Sequence, residues 1–178
     1  MTKDIGIARG RASKVKLIIM DIDGVLTDGR VIYDATGNIM KCFDVQDGLG
    51  ICAAKDLGFK LAIISGKSSK ANEHRAEVLG VDMLYQGSND KIAAYKEILK
   101  KCAVSDGETC YIGDDLVDIA VMERVGFAAS VQNAVDAIKA VSHYISVRSG
   151  GRGAVREVID FILMSQGREE ELINLYRN

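Results

Sequence analysis

The stretch Lys16-Leu-Ile-Ile-Met-Asp21-Ile-Asp23-Gly24-Val-Leu-Thr27-Asp28-Gly29 decides the fold. The apolar run before Asp21 is short and β-branched, and it reads as a buried strand. Side chains two apart on a strand point the same way. Asp21 and Asp23 therefore start on one side, where the strand gives way to a loop. Two like charges this close are unfavourable unless a cation lies between them or one holds a proton.

Working outward, strand-like runs recur at Leu17–Met20, Lys60–Ile64, Asp82–Tyr85, Thr109–Ile112, Phe127–Val131 and Tyr144–Val147. Helical patterns lie between them, near 48–57, 69–79, 90–102, 115–125 and 133–141. A further helix is expected near 153–165 and a short charged one near 168–177. This alternation predicts an α/β fold, a three-layer doubly wound parallel sheet, over one domain spanning 1–178. The segment 30–44 interrupts it. Arg30–Asp34 and Ile39–Asp44 flank a Gly37-Asn38 turn and read as a β-hairpin. The hairpin is either an edge ribbon, or a flap beside the active site or a subunit contact. The tail at about 166–178 docks locally, reaches a neighbour or stays mobile.

In open α/β sheets ligands bind beyond the carboxyl ends of the strands. The polar clusters of this chain fall there: Asp21 with Asp23, Ser65-Gly66-Lys67, and Gly113-Asp114-Asp115 with Asp118 one turn on. Five aspartates gathered at one edge demand a cation, and all-oxygen ligation with few carboxylates suits Mg²⁺. One carboxylate then remains free as a nucleophile and its neighbour as an acid and base. Ser65 offers a hydroxyl, and Gly66 lets backbone amides approach an anion. Lys91, after Gly87-Ser-Asn-Asp90, supplies positive charge. The set fits phosphoryl transfer, which needs positioning and charge neutralisation more than covalent chemistry.

Other readings fail on spacing or composition. Ser65-Gly-Lys-Ser-Ser69 lacks the glycine that a phosphate loop needs at 61. Asp21-x-Asp23-Gly24 has its glycine too early for a calcium loop, and Gly150-Gly-Arg152-Gly153 lacks dinucleotide spacing. The net charge of -2 gives no reason to expect nucleic acid or a membrane as partner. Lys3, Arg9, Arg11, Lys14 and Lys16 mark a flexible basic leader. The apolar run after it is cut short at Asp21, so it is neither a signal peptide nor a membrane span, and a cytoplasmic protein is expected. Cys42, Cys52, Cys102 and Cys110 form no Cys-x-x-Cys pair and are expected as reduced, buried thiols. With His74 and His143 the only histidines, zinc is not expected.

The ordered set DIDGVLTDG, IISGK, Lys91 and GDDLVD resembles the haloacid dehalogenase superfamily. The resemblance implies that Asp21 attacks phosphorus and that Asp23 protonates the leaving alcohol and then activates water. It implies Mg²⁺ held by Asp21, the Asp23 carbonyl and Asp114, with the phosphoryl group held by Ser65 and Lys91. Asp118 would orient Lys91 or the metal shell, with Asp115 beside it. The short hairpin leaves no room for a cap domain. FDVQDGLGI, LYQG and SGGRGAVREV are similar to the family of 3-deoxy-D-manno-octulosonate 8-phosphate phosphatases, enzymes of lipopolysaccharide sugar synthesis. That resemblance implies a homotetramer with hairpins at its centre, a neighbouring subunit closing each site, and a sugar phosphate as substrate. It places Thr27, Asp47, Gly48, Gly66, Lys67, Arg75 and Arg152 near the substrate. Lys67 departs from the pattern, which has arginine there. Relatives acting on a nine-carbon sugar 9-phosphate are expected to carry glutamate at this position and at Arg152, so two cations favour the eight-carbon sugar. Arg152 acts on the adjacent subunit's substrate or sits on the surface. The alternatives are a phosphatase for a nine-carbon acid sugar or other sugar phosphates, and a non-catalytic oligomerisation module.

Overall fold

The computed structural model describes residues 4–87 and 90–177; Met1, Thr2, Lys3, Ser88, Asn89 and Asn178 lie outside them. Six strands form one sheet: β1 (Leu17–Met20), β4 (Lys60–Ser65), β5 (Met83–Gln86), β6 (Thr109–Gly113), β7 (Phe127–Ser130) and β8 (Tyr144–Ile145), in the order β5-β4-β1-β6-β7-β8. All neighbours are parallel. The chain runs outward from β1 through β4 to β5, then crosses back to β6 and continues to β8. The direction therefore reverses beside β1, which makes a crevice at the carboxyl ends of β1, β4 and β6.

β1 is fully buried, as a central strand covered on both faces should be. On one face, helix α2 (Val45–Asp56) packs against α7 (Ala154–Ser165). Val155, Val158, Ile159 and Ile162 give α7 a buried stripe at helical spacing. The crossover back from β5 uses α4 (Lys91–Cys102). It lies with α5 (Ile119–Met122) and α6 (Asp136–Val141) as a second group. The helix α3 (Lys70–Val78) joins β4 to β5.

Several expectations need correction. The basic leader is not flexible throughout: Ile5–Ala12 forms helix α1, capped by Asp4, whose carboxylate accepts from the Gly6 amide at 2.8 Å. Ala8 and Ala12 are buried, and α1 packs against α7, so small apolar residues among charges were enough to dock it. The helix expected at 115–125 is a 3₁₀ turn, Leu116–Asp118, followed by the short α5. Of the cysteines only Cys110 is buried; Cys42 is exposed, and all four are free thiols. The tail forms α8 (Glu169–Asn174) and docks on the same chain: the Arg168 guanidinium donates to the Leu57 carbonyl at 2.9 Å and Leu172 packs against the core.

The hairpin is present as β2 (Ile32–Tyr33) and β3 (Ile39–Met40), apart from the main sheet. Asp34 organises its turn by accepting from the Thr36 and Asn38 amides at 2.8 and 2.9 Å. The Thr36 hydroxyl and the Asn38 side chain add to these bonds and hold the Asp34 carboxyl well below the usual carboxylate range. Among the described residues no helix is long and apolar enough to cross a membrane.

Candidate active site

The turn after β1 is built on one carbonyl. Ile22 O accepts from the amides of Val25, Leu26 and Thr27, and this tight return places Asp21 at the mouth of the crevice. The Ile22 amide donates to Asp21 Oδ1 at 2.7 Å, and Lys91 Nζ stands 3.0 Å from Asp21 Oδ2. Lys91 opens α4, and its ammonium is also 2.7 Å from Asp118 Oδ1. Burial works against the charge on Lys91, but Asp21 and Asp118 outweigh it and raise its pKa above the ordinary lysine value.

Asp118 is fully committed. Its Oδ1 accepts from Lys91 and, at 2.6 Å, from the buried Tyr111 hydroxyl. Its Oδ2 accepts from the Asp114 and Asp115 amides at 3.0 and 3.3 Å. It braces the loop after β6 and aims Lys91 at Asp21. Asp115 caps the following 3₁₀ turn through the Leu116 amide.

Asp114 has the opposite character: its Oδ1 is buried with no hydrogen-bond partner among the described residues. Carboxylate oxygens of Asp21, Asp114 and Asp118 all lie within 4.8 Å of one another. Desolvation first, then Asp118, Asp21 and Asp115, push Asp114 up to about 7. Desolvation and Asp118 likewise push Asp21 up to about 6, against the pull of Lys91. Three carboxylates share one buried ammonium, and an orphaned oxygen points to a missing positive partner. This oxygen-only set fits a hard divalent cation: among the described residues Asp114 Oδ1 is unpartnered, and each Asp21 oxygen, with one partner, keeps a lone pair for it. The close approach needs Gly24: at φ +95, a Cβ there would stand 2.0 Å from Asp114 Oδ2.

The cleft holds about 310 Å³ and is lined by Asp21, Asp23, Ser65, Gly66, Lys67, Lys91, Asp114, Asp115 and Val117. Ser65 ends β4 and is buried; its hydroxyl donates to the Lys67 carbonyl at 3.1 Å. The buried Asn72 supports the same carbonyl from α3 at 3.0 Å, and Gln86 at the end of β5 accepts from Asn72 and from the Ser69 amide. Asp23 is partly exposed, and Lys41 from the hairpin stands 2.7 Å from its Oδ1.

The remaining expected residues lie elsewhere. Thr27 is buried, and its hydroxyl accepts from the Gly24 and Gly29 amides, both at 3.3 Å, so it knits the loop. Asp47 is buried and accepts from the Gly153 and Arg156 amides at 3.3 and 2.8 Å, tying α2 to the start of α7. Arg75 donates to the Asp44 carbonyl at 3.0 Å and lies over the Phe43 ring. Gly48 makes room for it, since a Cβ there would stand 2.6 Å from the guanidinium. Arg152 is exposed, 3.8 Å from Asp28, in a separate cleft with Arg30, Ile32 and Phe43.

Sequence reasoning missed Lys41, Tyr111, Asn72 and Gln86. A tyrosine inside a central strand needs a partner for its hydroxyl, and that was the available signal for Tyr111. A larger cleft of about 760 Å³ lies at the opposite sheet edge, beside Lys14, Lys16, Lys60 and Arg168. The carboxyl ends of α1, α2, α4 and α7 meet there, and basic residues at helix carboxyl ends complement their dipoles.

A parallel sheet with this acidic, lysine-centred cleft at its carboxyl edge defines a haloacid dehalogenase-like hydrolase, and the model of that family matches residues 81–159. The chain is 40% identical over 161 residues to 3-deoxy-D-manno-octulosonate 8-phosphate phosphatase KdsC of Escherichia coli K12, covering 90% of this chain and 86% of that one. It is 42% identical over 160 residues to the Yersinia pestis protein of the same name, with the same coverage. A Moraxella catarrhalis 3-deoxy-D-manno-octulosonate 8-phosphate phosphatase, solved with magnesium, phosphate and KDO, superposes with a TM-score of 0.94 at 41% identity, covering 98% of this chain and all of that one. The cobalt-bound deoxy-D-mannose-octulosonate 8-phosphate phosphatase of Haemophilus influenzae gives a TM-score of 0.87 at 34% identity, covering 94% of this chain and 96% of that one. Within the hydrolase class, the chain belongs to the 3-deoxy-D-manno-octulosonate 8-phosphate phosphatase family.

Proposed function

We propose that this chain hydrolyses the phosphate monoester of 3-deoxy-D-manno-octulosonate 8-phosphate with Mg²⁺, releasing KDO and inorganic phosphate for lipopolysaccharide synthesis. The observation that carries the reading is the single cleft holding Asp21, Asp23, Ser65, Lys91 and Asp114 in a chain of this family. Asp21, Asp114 and the Asp23 carbonyl would hold Mg²⁺, which would supply positive charge against the carboxylates and the phosphate. Asp21 attacks phosphorus. As its bond to phosphorus forms, the bond to the sugar oxygen breaks, and Asp23 gives that oxygen a proton. Asp23 then takes a proton from water, whose attack releases phosphate and restores Asp21. Ser65 and Lys91 neutralise the non-bridging oxygens. Asp118 and Tyr111 keep Lys91 in place, and Asp115 holds the loop.

Lys67 at the cleft rim receives the sugar carboxylate as a point charge, without the fork of an arginine. Thr27, Asp47, Gly48 and Arg75 support the loops around the substrate. Arg152, in its separate cleft, meets a neighbouring subunit's substrate. Val31, Ile32, Tyr33 and Met40 on the hairpin are exposed, and such a patch supports assembly into a homotetramer. The enzyme works in the cytoplasm. The departure of Lys67 from the family's arginine raises one second reading, a phosphatase for a nine-carbon acid sugar, although its positive charge argues for the eight-carbon one. Measuring kcat/KM on both sugars decides between them: the eight-carbon ester is expected to be preferred, and preference for the nine-carbon ester would reverse the assignment. Inactivity on both with Mg²⁺ bound would indicate a non-catalytic module.

A further inference from the structure

The hairpin sends one cation back to the site. Lys41 directly follows β3, and its side chain is 4% exposed, against 32% for Asp23. A lysine gives up hydration for a strong partner. Among the described residues, Asp23 is its one ion-pair partner, at 2.7 Å from Oδ1. Asp23 borders two spaces. One is the cleft with Asp21, Ser65 and Lys91. The other is a narrow crevice between the hairpin and the Ser65–Ser69 loop, lined by Arg30, Ile39, Lys41 and Lys67. One carboxylate oxygen is thus tied on the crevice side, while the residue still faces the cleft.

We propose that Lys41 is a positioning residue for proton transfer: it holds Asp23 by Oδ1 so that Oδ2 meets the ester oxygen of the leaving alcohol. This rests on the reading of Asp21 as nucleophile and Asp23 as proton carrier. The step at stake is the one in which the Asp21–phosphorus bond forms, the bond from phosphorus to the sugar oxygen breaks and a proton passes from Asp23 to that oxygen. A sugar alkoxide leaves poorly without the proton, whereas a nitrophenolate leaves without one. In that first step the orientation of Asp23 therefore matters for sugar esters and little for aryl esters, whereas its later activation of water is common to both. It also makes the hairpin, a two-stranded ribbon weak on its own, part of the apparatus that delivers the proton.

The test compares wild type, Lys41→Met, Lys41→Arg and Asp23→Asn, each as the full chain with Mg²⁺, on KDO 8-phosphate and on p-nitrophenyl phosphate. Lys41→Met is expected to slow single-turnover release of KDO by about tenfold or more and of nitrophenolate by less than about threefold, with KM on the sugar ester changed by less than about twofold. Lys41→Arg should recover most of the loss. Equal losses of leaving-group release on both esters, an undiminished release from the sugar ester, or failure of arginine to rescue would overturn the inference. Asp23→Asn serves as the reference. If it shows no selective loss on the sugar ester, the reading of Asp23 fails; if it does while Lys41→Met does not, only the inference about Lys41 fails.

Discussion

Asp21 and Asp114 are two carboxylates brought together beside a single buried ammonium, Lys91, that Asp118 also claims, and the smallest residue decides how close the loop comes to Asp114. Replacing Gly24 with alanine puts a Cβ against Asp114 Oδ2 and forces a positive φ on a residue that resists it. Gly24→Ala is predicted to lower stability by about 1–3 kcal/mol and to weaken Mg²⁺ binding. Urea melts and a Mg²⁺ titration check this, and unchanged Mg²⁺ affinity would refute it. Asp21, Asp23, Ser65, Lys91 and Asp114 were legible in the sequence because each lies at or near the end of an apolar run, where topology alone gathers them. Lys41 was not, because an isolated lysine in a short polar ribbon gives no sign of which carboxylate it reaches across eighteen residues of sequence separation.

At the scale of elements, the main strands and α2, α3, α4 and α7 were readable from periodicity. The failures have physical causes. Helix α1 is capped and docked by tertiary contact, and its apolar face is only two alanines wide. The segment after Asp114 is a 3₁₀ turn in which Asp118, at the third position, reaches back to the Asp114 and Asp115 amides as in a capping box. Asp47 shows the same economy between helices. It is one buried carboxylate holding two amides at the start of α7, and burial raises its pKa above the ordinary value. Asp47→Ala leaves those amides unpartnered and should lower stability by about 1–3 kcal/mol. Asp47→Asn keeps an acceptor oxygen and should lose less. Denaturant midpoints measure both, and equal losses would argue against the tether.

The whole molecule couples metal, protons and stability. In the folded protein Asp21 is raised from 3.8 to about 6 and Asp114 to about 7, so the metal-free fold holds protons that the unfolded chain has released. Their contribution to stability is full below the unfolded value and is lost as pH rises through about 6 to 7. Mg²⁺ needs both carboxylates ionised, so its stabilisation should grow across the same window. Melting curves from pH 5 to 8 with and without Mg²⁺ should diverge as pH rises; parallel curves would contradict the coupling. Assembly belongs to this scale too. The exposed hairpin predicts a tetramer by light scattering, and a monomer at working concentration would remove the neighbour from the site.

The most direct test is phosphate release from 3-deoxy-D-manno-octulosonate 8-phosphate by wild type with Mg²⁺, by wild type with EDTA, and by Asp21→Asn with Mg²⁺. The predicted result is turnover in the first and its loss in the other two, with the variant still folded. Undiminished release with EDTA or from Asp21→Asn would contradict the account at its centre.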